Sequence, residues 1–87
     1  MSNIVFTEIA FEQYRHWLDK DRKAVKKIND LLKSIEREGP LKGLGKPEKL
    51  KHKDGEYSRR INEADRLVYE TDGDNIIVKS CKGHYED

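Results

Sequence analysis

One carboxylate, a group of arginines and a terminal His-Tyr pair are the residues in this chain that could act together on a phosphodiester. Glu48 lies in Gly45-Lys46-Pro47-Glu48-Lys49-Leu50-Lys51-His52, with Lys46, Lys49, Lys51 and His52 around it and the restricted backbone of Pro47 before it. Neighbouring cations favour the ionised carboxylate, which is the form that accepts a proton. Arg59, Arg60 and Arg66 occur in β-prone segments. A guanidinium offers phosphate a fixed fork of donors and stays charged at any relevant pH. His84 can act as general acid or base near neutrality, and Tyr85 can stack on a nucleobase. RNA suits such a set because its 2′-hydroxyl is a built-in nucleophile. Cleavage then needs a base for that proton, cations around the pentacoordinate phosphorus and an acid for the departing 5′-oxygen. Each feature alone also has an ordinary reading: an exposed Glu in a charged loop, arginines paired with Glu56, Glu63 or Glu70, and a frayed chain end.

Other chemistries are less well served. The single Cys81 forms no internal disulfide, and no H-x-x-x-H, C-x-x-C or clustered-carboxylate pattern occurs, so neither a metal nor another cofactor is expected. The stretch 39–47, with Gly39, Pro40, Gly43, Gly45 and Pro47, is a loop; it lacks the strand-before, helix-after setting of a phosphate-binding P-loop.

The elements that must position these groups follow from periodicity. Ile4-Val5-Phe6 is a short β-prone run, and Thr7 with Glu8 starts a helix carrying Phe11, Tyr14, Trp17 and Leu18. Asp19 to Asp21 interrupts it, and Val25, Ile28, Leu31, Leu32 and Ile35 then define an amphipathic helix that stops at Gly39-Pro40. Three further β-prone segments, Tyr57 to Ile61, Arg66 to Thr71 and Asn75 to Cys81, are separated by short turns and read as an antiparallel meander. The expected fold is α+β: two N-terminal antiparallel helices packed on an antiparallel sheet of about four strands, in one domain spanning 1–87. Period-2 alternation places Ile61, Leu67 and Tyr69 under the helices and leaves Arg60 and Arg66 together on the uncovered face.

Composition sets the remaining bounds. Charged residues are 40% of the chain, well above the ~25% of average domains, so the core must be small. Residues 40–66 carry a net +3 and residues 67–87 a net −3. That is too weak for a sequence-independent DNA clamp but suits local contact with a polyanion. The longest apolar runs, such as Leu67 to Tyr69 and Ile76 to Val78, are far short of a membrane span, and the N-terminus has no apolar signal segment. A cytoplasmic protein without membrane contact is expected.

Several of these pieces recur together in one family. Val25-Lys26-Lys27-Ile28-Asn29, Gly45-Lys46-Pro47-Glu48 with Leu50-Lys51-His52, Ser58-Arg59-Arg60-Ile61, Arg66-Leu67-Val68-Tyr69, and Cys81 followed by His84-Tyr85 stand in the order and spacing of the YoeB (Txe/YoeB) family of RelE-like bacterial toxins. The chain closely resembles that family over nearly its whole length. The resemblance implies an mRNA interferase that enters the ribosomal A site, cleaves the message there and is neutralised by a YefM-like antitoxin. It further implies operator DNA binding only in complex with the antitoxin, and it leaves a homodimer open. Carried over residue by residue, it makes Glu48 the general base, His84 the general acid and Arg66 the transition-state arginine. Tyr85 orders the substrate base, and Lys51 and Arg60, with Arg59, Lys46 and His52 near them, bind the phosphate. Residue chemistry alone allows Glu48 and His84 to exchange or share the base and acid roles. Two departures add negative charge near the site: Asp65, where several relatives have His, and the Glu86-Asp87 extension. Such charge would weaken phosphate binding or raise the pKa of His84. Two readings from other classes compete: a non-catalytic module that binds an antitoxin or RNA, and a DNA-binding regulator.

Overall fold

The computed structural model describes residues 3–83. Its elements in chain order are β1 (Asn3–Phe6), α1 (Glu8–Lys20), α2 (Arg22–Glu38), β2 (Glu48–Lys49), β3 (Glu56–Arg60), β4 (Arg66–Asp72) and β5 (Asn75–Ser80). Two helices cover one face of a five-stranded sheet of order β1-β5-β4-β3-β2. Strands β2 to β5 form the antiparallel meander, while β1 joins the far edge parallel to β5. The meander and the helix pair match the sequence expectation. The parallel edge and the two-residue β2 go beyond it. A strand of two charged residues carries no period-2 signal, and the direction of β1 is set by the helical crossover rather than by its own sequence.

Helix ends follow local chemistry. The Thr7 hydroxyl accepts the Ala10 amide at 3.1 Å and donates to the Lys79 carbonyl at 3.2 Å, so the cap of α1 also ties the helix to β5. Asp21 serves both helices. Its amide closes α1 by donating to the Trp17 carbonyl, and its carboxylate accepts the amides of Lys23 and Ala24 to cap α2. Residues Ala24, Val25, Ile28, Leu31, Leu32 and Ile35 of α2 pack with Leu67, Tyr69, Ile76 and Val78 of the sheet. Helix α1 grips the end of β5: Trp17 Nε1 donates to the Cys81 carbonyl at 2.8 Å, and Gln13 Oε1 accepts the Cys81 amide at 2.6 Å.

Inside this layer lies a buried cation. Arg59, expected to bind substrate phosphate, is instead 0% exposed on the helix side of β3. Its Nε donates to the Tyr69 hydroxyl (2.8 Å), Nη1 to Ser34 Oγ (3.1 Å) and the Leu44 carbonyl (2.8 Å), and Nη2 to the carbonyls of Gly39 (2.8 Å) and Lys42 (2.7 Å). A guanidinium has five N–H donors, and all five are used. The Tyr69 hydroxyl in turn donates to the Pro40 carbonyl at 2.6 Å. Arg59 is therefore a structural residue that fastens the Gly-rich loop to the core, and it cannot also face solvent and RNA.

Replacing Arg59 with Lys should destabilise the fold. An ammonium has three donors without the planar fork, so at least two acceptors lose their partner, at a cost of roughly 1 to 3 kcal/mol each. Urea unfolding of the two proteins checks this, and an unchanged midpoint would contradict the role given to Arg59.

Stability should also fall in alkali. Burial, with the Asp65 carboxylate adding to it, pushes the Cys81 thiol from 9.0 up to about 12. Burial likewise raises the Tyr69 phenol above 10.0, partly offset by Arg59. Both groups hold their proton longer in the folded state, so the folded chain binds more protons than the unfolded chain as pH rises above 9.0. Unfolding free energy should then decline from about pH 9 towards about pH 12, and Cys81→Ala should flatten the lower part of that decline.

Candidate active site

Strand register assembles the site. Glu48 of β2 pairs with Ser58 of β3, Ser58 pairs with Val68 of β4, and Arg60 pairs with Arg66 one step along. Alternation puts these residues on the sheet face away from the helices, with Tyr57, Arg59, Leu67 and Tyr69 pointing the other way. Arg60 and Arg66 thus share the face away from the helices, as their spacing predicts, Arg60 exposed and Arg66 mostly buried.

Arg66 is held but not saturated. Its Nε donates to Ser58 Oγ at 3.1 Å, and its side chain is 13% exposed. Nη2 lies 3.7 Å from Glu48 Oε2, close enough for an ion pair and too far for a hydrogen bond. That nitrogen is buried and has no hydrogen-bond partner among the described residues. The Glu48 side chain is 66% exposed, so the pair is worth at most about 1 kcal/mol and leaves the carboxylate open to a ligand. The acid beside Arg66 is Glu48, not one of the cross-strand glutamates; Glu70 instead faces Lys79 at 3.8 Å.

Glu48 owes its place to the loop before it and the strand beside it. The Gly45 carbonyl accepts the Arg60 amide at 2.7 Å, which docks the loop onto the end of β3. Gly45 sits at φ +85, and a Cβ there would lie 2.5 Å from Leu31 Cδ2 and 3.2 Å from the Arg60 carbonyl oxygen. Any side chain at this position would be strained at that φ and would force Leu31 or the β3 backbone to give way. On the far side, Leu50 is buried and its amide donates to the Glu56 carbonyl at 2.9 Å. Lys46 is exposed just ahead of β2, Lys51 and His52 are exposed in the loop that follows it, and Arg60 is exposed at the end of β3. Of the basic groups named from sequence, Arg60 shares the sheet face of Arg66 and Glu48; Lys46, Lys51 and His52 flank β2 in the chain; and Arg59 is on the opposite face.

His84 and Tyr85 lie outside the described residues, as does the Glu86-Asp87 extension. The chain is described up to Gly83, whose carbonyl accepts the Arg66 amide at 3.1 Å and whose amide donates to Asp65 Oδ1 at 2.7 Å. Asp65 is one of the two departures expected to add negative charge near the site. Its carboxylate is engaged by the chain itself. The other residue that sequence reasoning passed over is Ser58, which orients the Arg66 guanidinium; its alternation with Arg60 was the signal for it.

An exposed carboxylate beside an unsaturated guanidinium, with a second Arg and several Lys at the rim, can take a proton from a hydroxyl and hold the charge of a phosphorane. Comparison with known proteins gives the family of the chain. A YoeB dimer from Staphylococcus aureus matches with a TM-score of 0.93 and 55% identity, covering 97% of this chain and 98% of that one. A heterotetrameric YoeB-YefM complex from the same organism gives 0.91 and 56%, covering 98% and 99%. Toxin YoeB of Escherichia coli strain K12 is 42% identical over 83 residues, which is 94% of this chain and 98% of that protein. The family model for the YoeB-like toxin of bacterial type II toxin-antitoxin systems matches residues 6–85, a span that includes the loop and strands assembling Glu48, Arg60 and Arg66, and the chain belongs to that family.

Proposed function

We propose that this toxin is a ribosome-dependent endoribonuclease, an mRNA interferase that cuts the message in the A site and so stops translation in the cytoplasm. The observation that carries the reading is the Arg66 guanidinium, fixed by Ser58, with one buried nitrogen that has no hydrogen-bond partner among the described residues and an exposed Glu48 at 3.7 Å. A buried donor without a partner is costly, and a phosphate oxygen would relieve that cost. Glu48 takes the proton from the 2′-hydroxyl, and the 2′-oxygen forms a bond to phosphorus. Arg66 and Arg60 hold the charge that builds on the phosphorane, with Lys51 and the other rim cations binding the flanking phosphates. The bond to the 5′-oxygen breaks as His84 supplies its proton, leaving a 2′,3′-cyclic phosphate and a 5′-hydroxyl. Tyr85 stacks on the substrate base. No metal enters any of these steps.

The partner in this reading is a YefM-like antitoxin, an acidic segment that folds on binding and covers the basic middle of the chain. Support comes from the S. aureus YoeB-YefM complex, and the S. aureus YoeB dimer supports self-association of this chain as well. Operator DNA is then contacted only through the toxin-antitoxin complex.

Ribosomes programmed with a defined message test the reading. The parent should cut in the A site and leave 5′-hydroxyl ends, whereas Glu48→Ala and Arg66→Ala, checked for native circular dichroism, should slow cutting by roughly 10²- to 10⁴-fold. His84→Gln should fall in the same range while still binding the ribosome. A message left intact by the folded parent would favour the non-catalytic module, and 5′-phosphate ends would rule out 2′-hydroxyl attack.

A further inference from the structure

We propose that Asp65 is a positioning residue that holds Gly83, the residue from which His84 and Tyr85 follow in sequence, against the backbone of Arg66. The proposal deepens the nuclease reading and rests on it for its catalytic consequence. Asp65 closes a turn whose backbone is held on both sides. Asn62 Oδ1 accepts the amides of Ala64 (2.9 Å) and Asp65 (2.8 Å), and the Asp65 carbonyl accepts the amides of Ile61 (3.0 Å) and Asn62 (3.3 Å). The carboxylate is thereby presented in one direction, where Oδ1 takes the Gly83 amide at 2.7 Å. The next residue completes the grip, since the Arg66 amide donates to the Gly83 carbonyl at 3.1 Å. Two consecutive residues therefore hold both polar groups of Gly83.

That grip acts where the chain would otherwise swivel. Gly83 has φ +91, and nothing lies within 4 Å of the Cβ it lacks, so packing does not hold it. Terminal segments without such ties fray. Two residues earlier, Cys81 is anchored by Gln13 and Trp17. The segment 81–83 is thus pinned at both ends, and Gly83, the point from which residue 84 departs, is hydrogen-bonded to the backbone of the same arginine whose side chain meets the phosphate. A charge-assisted bond is the strong form of such a tie. The negative charge at Asp65, unwelcome near RNA when viewed as charge alone, is placed where an amide uses it.

The full chain is compared with Asp65→Ala and Asp65→Asn in two measurements: amide hydrogen exchange at Gly83 by NMR, and single-turnover cleavage on programmed ribosomes as a function of ribosome concentration. Asp65→Ala should speed Gly83 exchange about tenfold while core amides such as Leu67 stay protected. It should lower the saturating cleavage rate about 10- to 100-fold with half-saturation within about twofold, as expected for misplacement rather than lost binding. Asp65→Asn keeps an oxygen acceptor and should recover most of both losses. Unchanged Gly83 exchange in Asp65→Ala overturns the clamp, and faster exchange with a parent-like cleavage rate overturns its role in the reaction. A parent chain that cleaves nothing contradicts the nuclease reading, while the exchange measurement still decides whether Asp65 holds Gly83.

Discussion

A full positive charge buried without a carboxylate among its partners is the constraint around which the rest of this small fold is arranged. Burying a guanidinium is tolerable only if every donor finds an oxygen, and the oxygens that Arg59 finds are mostly main-chain carbonyls of the loop from Gly39 to Leu44. That loop has no regular structure and several glycines, so left to itself it would sample many conformations. Its carbonyls converge because one buried side chain on the helix side of β3 needs them. Ser34 on α2 and Tyr69 on β4 complete the set, and so the same residue ties together a helix, a loop and two strands.

The consequence appears on the opposite face of the sheet. Once the loop is docked, the Gly45 carbonyl meets the Arg60 amide and the chain enters β2 with Glu48 opposite Ser58. Two adjacent arginines thus divide the work by alternation: Arg59 points inward and sets the loop, and Arg60 points outward beside Arg66. The contrast between Arg59 and Arg66 is instructive. Arg59 has all five donors satisfied and little left to offer a ligand. Arg66 has Ser58 on Nε, while its buried Nη2 has no hydrogen-bond partner among the described residues and only a carboxylate slightly too distant for one. A saturated cation builds structure, whereas an unsaturated one held in place is prepared to receive an anion.

Much of this was legible from the sequence where the signal is local. The 3.6-residue period of α2, the break at Asp19 to Asp21, the stop at Gly39 and the three meander strands all follow from residues within a few positions of one another, as does the placing of Arg60 with Arg66 on one face. Glu48 was legible as a carboxylate among cations behind a Pro, and through the family motif that contains it. Less accessible were features decided by distant partners. Nothing near Arg59 in the sequence reveals that its acceptors lie 10 to 25 residues away, although its alternation with Tyr57 and Ile61 puts it on the covered face. Asp65 gave no sign that its partner is the amide of Gly83, 18 residues later. The two-residue β2 became a strand only because β3 was there to pair with it.

The claim that Glu48 and Arg66 work as one unit on the phosphodiester is tested most directly by a double-mutant cycle on the single-turnover cleavage rate, using Glu48→Gln and Arg66→Lys on saturating programmed ribosomes. Both substitutions nearly conserve size; Gln cannot take the proton, and Lys lacks the fork held by Ser58. Residues that act as a unit give strongly non-additive losses, so the double variant should cleave about as slowly as the slower single variant. Losses that simply multiply, or an Arg66→Lys rate equal to that of the parent, would contradict it.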